Sequence, residues 1–184
     1  MSLAQNQPSG GGQQQPNMPS QQPVTPNTGP MGPDTSSMNQ QATADQAFVR
    51  KALEGGAAEV QLGQLAQQKS QSEDVKQVGQ RMVQDHTQLG DQMKPIAQQL
   101  GVKEPKELSK KDKQLMAKLE SLSGPQFDET YIQAMVKDHQ QDLKEFKSEA
   151  QTTQDPNVKP AAQQGADVIS QHLEMIQQIA HTTM

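Results

Sequence analysis

The chain has no cysteine, which excludes disulfides, thiolate metal ligands, thiol nucleophiles and, in the sequence as it stands, a lipid-modified cysteine anchor. It has no apolar run near the roughly 18 residues of a membrane span and no apolar signal-peptide core. Membrane insertion of this chain is therefore not expected. A cationic stripe is missing as well: 16 Lys and Arg are interspersed among 21 Asp and Glu, for a formal charge of −5. Nucleic acid is accordingly not an expected partner, and nothing in the sequence assigns a protein partner or a homo-oligomer. No window shows the apolar alternation of a strand.

What is present is divided unevenly along the 184 residues. Residues 1–42 contain Pro8, Pro16, Pro19, Pro23, Pro26, Pro30 and Pro33 among many Gln, Gly, Asn and Ser, with no Lys, Arg or aromatic residue and one acid, Asp34. Such a stretch offers too little apolar surface to offset the entropy of ordering it, and reads as a disordered tail. A polar tail directly after Met1 is what a cleaved or omitted secretion signal leaves, so a place in the periplasm or outer envelope is expected. Residues 43–182 form the folding domain, long enough for a single core.

Beyond residue 42 the apolar periodicity is helical. A first helix is predicted from near Thr43 to Ser70, with Thr43 and Gln46 spaced as a capping box. A second runs from about Ser72 to Leu100, stopped at Gly101 and kinked at Pro95. The connection 101–125 includes a short amphipathic helix, Ser109 to Leu122. A third main helix begins at Pro125 and ends near Gln151, and a fourth spans about Asp155 to Ala180. Two helical hairpins joined by a long crossover define an all-α, ferritin-like antiparallel four-helix bundle.

The pattern Gln-x-Met-Val-x-Asp-His-x-Gln occurs twice, at Gln80–Gln88 and Gln133–Gln141. Each copy puts a histidine on an apolar stripe: His86 among Val75, Gly79, Met82, Leu89, Met93 and Ile96, and His139 among Ile132, Met135, Leu143 and Phe146. The fourth helix places His172 between Ile169 and Ile176, and the first places Glu59 among Val49, Ala52, Gly56, Gly63 and Ala66. Depth along the bundle matches. Counted from turns near residues 71 and 154, Glu59 lies 12 before and His86 15 after, while His139 lies 15 before and His172 18 after. At about 1.5 Å per residue, all four fall within roughly one helical turn of one layer.

Three imidazoles and a carboxylate suit one divalent transition metal ion, zinc, copper, nickel or ferrous iron. Asp85 and Asp138, each preceding a histidine, are placed to orient a neighbouring ring or to meet solvent. Met82 and Met135, one turn before His86 and His139, would add soft thioethers for copper, although core filling is the simpler use of both. Beside the metal reading stands a metal-free one, in which Glu59 and the histidines pair with one another and only fix helix packing.

Phe48–Leu65, Gln80–His86, Phe127–His139 and His172–Ile176 resemble the four helices of domain of unknown function family 4142, whose bacterial members are often labelled predicted outer membrane proteins. The resemblance covers residues 45–180. It implies a ferritin-like bundle exported to the periplasm or envelope, and no particular activity. The outer membrane label sits poorly with a chain that has neither barrel strands nor a spanning helix. Iron-oxidising ferritin relatives share a Glu-x-x-His motif on each of two helices. Here the residues three before His86 and His139 are Val83 and Val136, so a di-iron carboxylate centre is not expected. Three functions follow in order: an exported, non-catalytic protein that binds or buffers one metal ion under metal or oxidative stress; a structural or interaction module; and, last, a redox enzyme, for which no nucleophile, cofactor loop or suitably spaced carboxylate pair is present.

Overall fold

The structure, a computed structural model, describes Met1 and residues 35–183. Most of the segment read as a disordered tail therefore lies outside the described residues. Five helices follow in order: α1 (Thr35–Lys69), α2 (Glu73–Gln99), α3 (Lys110–Glu120), α4 (Gly124–Thr152) and α5 (Val158–Thr183). There is no strand among the described residues. The all-α bundle is as expected from the sequence.

The helix boundaries follow from local chemistry. Ser72 caps α2 by accepting the amide of Val75, and Glu73 and Asp74 place negative charge at the positive end of the helix dipole. At the other end Gly101 takes φ +69, with Gly101 N donating to Gln98 O and Val102 N to Ala97 O. That pair of bonds is a Schellman stop, a conformation that favours glycine. The helix runs unbroken past Pro95. Ser109 caps α3, accepting the amide of Asp112 at 3.1 Å, and Asp155 organises the first turn of α5 by accepting the amides of Asn157 and Val158.

The start of α1 differs from the reading. The helix begins at Thr35 rather than Thr43, and no capping box forms. The Thr43 hydroxyl donates to Asn39 O within the helix, while Gln46 Nε2 donates to Leu100 O. Residues 36–40 are exposed, so this opening turn carries no apolar stripe by which it could be recognised.

Helices α1 and α2 form one hairpin and α4 and α5 the other, with α2 against α5 and α1 against α4. The crossover carries α3 over α1 and α4, where Lys69 Nζ bonds the Glu120 carbonyl and Lys111 Nζ meets Asp138 Oδ1 at 2.6 Å. The apolar interior is in two clusters. One, built on Leu62, Val75, Met82, Phe127, Tyr131, Met135 and Ile176, fills the end at the α1–α2 turn. The other, built on Val49, Leu53, Met93, Ile96 and Val158, fills the opposite end. In sequence, His86, His139 and His172 fall between the parts of their helices that feed these clusters. At the first end α1 and α2 approach so closely that a Cβ on Gly63 or Gly79 would sit 2.6 Å from the other's carbonyl oxygen.

Candidate metal centre

His86 on α2, His139 on α4 and His172 on α5 are 6%, 1% and 1% exposed. Their ring centroids are 5.2 to 5.8 Å apart. One nitrogen from each ring lies within 4.8 Å of the others, a span that ring rotations can close onto one ion. The register reading from the two turns thus brings the three rings together as expected.

Hydrogen bonding sets which nitrogen is free in two of the three rings. His139 Nδ1 lies 3.1 Å from Met135 O; a carbonyl only accepts, so the proton sits on Nδ1 and leaves Nε2 with its lone pair. His172 Nε2 lies 2.9 Å from Asp85 Oδ2, which likewise leaves Nδ1 free. Asp85 is held in turn by Arg81 Nε at 2.6 Å. Among the described residues, the buried side-chain nitrogens without a hydrogen-bond partner are His86 Nε2, His139 Nε2 and His172 Nδ1. A buried polar nitrogen left unpaired costs on the order of 1–3 kcal/mol.

Burial keeps these rings neutral. It holds His86 well below the ordinary histidine value, with help from the neighbouring His139 and His172 rings. Burial, then His172, lowers His139 to about 4. His172 is lowered by burial against the opposing pull of Asp85. Neutral imidazole is the form that binds metal.

Glu59 is placed differently from expectation. It is buried, but its Oε1 is 3.8 Å from His139 Nδ1, the nitrogen already committed to Met135 O. The group whose ligand atoms lie within 4.8 Å of one another is formed by the three histidines without it. Both carboxyl oxygens lack a hydrogen-bond partner, and burial, followed by the charges of Asp138 and Asp142, raises its pKa well above the ordinary range. The depth count located Glu59 in the right layer and was blind to which side of His139 it would meet.

Of the companion residues, Asp85 orients a ring, that of His172 across the bundle. Asp138 instead pairs with Lys111. Met82 and Met135 are fully buried in the first apolar cluster, and Met135 serves the site through its backbone carbonyl. Two residues escaped the sequence reading. Tyr131 is buried with an unpartnered hydroxyl, its pKa raised by burial and then by Glu59. Asp142 is pushed up to about 7 by burial and by Asp138 and Glu145. Asp142 stands three residues after His139, on the same helix face, a spacing that could have pointed to it.

The fold and this interior define a four-helix bundle with a three-histidine cluster at mid-length. The chain belongs to the DUF4142 family, a domain of unknown function, which matches residues 31–179. No match was found among curated proteins. Among solved structures it is similar to a DUF305 protein of Streptomyces coelicolor described as secreted, with a TM-score of 0.66 at 14% identity, covering 76% of this chain and 93% of that one. A DUF305 fragment from Deinococcus radiodurans gives the same TM-score of 0.66 at 16% identity, covering 76% and 96%. At these identities the likeness is one of fold.

Proposed function

We propose that this protein binds or buffers one divalent transition metal ion as a non-catalytic component of the bacterial envelope, active under metal or oxidative stress. One observation carries the reading: three buried rings from three helices each bring a nitrogen within 4.8 Å of the others, and each ring has a buried nitrogen without a hydrogen-bond partner. Two of the rings are fixed through their other nitrogen, His139 by Met135 O and His172 by Asp85, the support that metal-ligating histidines usually have. An all-imidazole donor set suits zinc, copper, nickel or ferrous iron. The placement in the envelope draws support from the Streptomyces coelicolor fold neighbour described as secreted. No described helix is long and apolar enough to cross a membrane.

The same two hydrogen bonds also favour a second reading, in which the rings merely fix helix register. Metal content of protein purified without an affinity tag, with zinc titration of the thermal transition, separates the two. At free zinc a hundred times Kd the bundle should gain about 2.7 kcal/mol, worth roughly 5–10 °C in Tm for a domain of this size. The double variant His86→Ala with His172→Ala should lose that gain. A Tm indifferent to both zinc and chelator would leave only the packing role.

A further inference from the structure

His86 stands between two openings, and glycines line both. On one side is a groove of about 360 Å³, whose walls include Leu53, Gly56, Val60, His86, Gly90 and Glu104. On the other is a narrower cleft, with room for water-sized contents of about 30 Å³, bordered by Phe48, Gly55, Gly56, His86, Gly90 and Phe146. Gly56, Gly90 and His86 are common to both. A cleft of that capacity holds on the order of two waters, so the groove is the roomier approach.

The glycines here differ in kind from those nearer the turn. At Gly63 and Gly79 a side chain would collide with the facing helix, so their smallness serves packing. A Cβ at Gly90 would meet nothing within 4 Å, and one at Gly56 would come only within 3.9 Å of His86 Nδ1. Packing does not demand glycine at Gly90, yet glycine in a helix interior costs about 0.5–1 kcal/mol relative to alanine. What the missing side chains leave is a passage ending on a buried histidine. Its Nδ1 is toward Gly56, and its Nε2 is one of the three unpaired nitrogens. Among the groove's lining residues Asp91 pairs with Lys94 at 2.9 Å, which leaves Glu104 as a net negative charge, a balance that favours cations over anions.

We propose that the groove between α1 and α2, kept open by Gly56 and Gly90, is the route by which a divalent cation reaches His86, His139 and His172. The inference rests on the metal reading and specifies how that site is loaded. His86 is then the first ring an arriving ion meets, and α1 and α2 need not separate for loading to occur.

The test uses the full chain and Co²⁺, whose absorption reports coordination, mixed by stopped flow. Gly90→Leu should fold as the parent does and bind at unchanged Kd, while its loading rate falls roughly tenfold or more as the side chain fills the passage. Gly90→Ala should fall between the two. Gly55→Leu, which lines the narrow cleft but not the groove, should load at the parent rate. Loading of Gly90→Leu at the parent rate, or slowing by Gly55→Leu alone, would overturn the route while leaving the metal site intact. Absence of any Co²⁺ signal in the unaltered protein would remove the metal reading and the route with it.

Discussion

Asp85 on α2 reaches across to α5, where its Oδ2 lies 2.9 Å from His172 Nε2, and so leaves Nδ1 as the free nitrogen of that ring. Removing its charge should matter more to metal than to folding. Asp85→Asn is expected to weaken zinc affinity about 10- to 100-fold, the usual cost of losing such a partner. Tm without metal should move little, because the asparagine carbonyl can still accept the Nε2 proton. Competition titration against a chelator of known affinity measures the loss. Unchanged affinity would mean that the Asp85 charge gives the site no support.

Acid should act on the metal-free bundle through its histidines. The folded pKa of His139 is about 4, below the ordinary 6.5, so between those values the unfolded chain binds a proton that the folded chain refuses. The contribution of this ring is therefore intact above pH 6.5 and is lost as pH falls toward 4. Denaturant unfolding at pH 7 and pH 4.5 should show His139→Gln losing roughly 1–3 kcal/mol less than the parent over that interval. Parallel pH profiles would contradict the neutral, buried assignment.

Asp142 works in the opposite direction. With a folded pKa of about 7 against an ordinary 3.8, the folded chain holds a proton that the unfolded chain has released. Stability is thereby favoured at low pH and lost as pH rises through 7. Asp142→Asn should make the bundle about 1–2 kcal/mol more stable than the parent at pH 8 and no more stable at pH 4. Asp142 is only half-buried, and solvent screening keeps the figure modest. Urea melts at the two pH values provide the comparison.

Two glycine substitutions should separate packing from helix propensity. Gly79→Ala puts a methyl 2.6 Å from Gly63 O and 3.0 Å from the Ala66 Cβ, so the hairpin must part, at about 1–3 kcal/mol. Gly55→Ala meets nothing within 4 Å and should stabilise by about 0.5–1 kcal/mol. Equal effects would mean that α1 and α2 do not approach as closely as described.

The fold was legible because its signals are local and redundant. Ser72, Gly101, Ser109 and Asp155 mark helix ends by backbone chemistry that needs no tertiary context. The stripes carrying His86, His139 and His172 persist over many turns, so counting from the connections was enough to align them. Glu59 shows where that method stops. Its depth was right, but whether it met the free or the committed nitrogen of His139 depended on the bond to Met135 O, which periodicity does not encode. The extra turns before Thr43 were missed because an exposed stretch has no stripe. Asp85 left two directions open, inward or to solvent, and only the placement of α5 resolved them.

The histidine layer also divides the oily interior, leaving Leu62 and Phe127 in one pool and Val49 and Met93 in another. Damage in one pool should spread poorly to the other: Leu62→Ala and Met93→Ala are expected to cost independent amounts that add within about 0.5 kcal/mol. Mechanically the molecule is two short bundles sharing the same rods, and whatever grips the three rings also ties those halves into one cooperative unit.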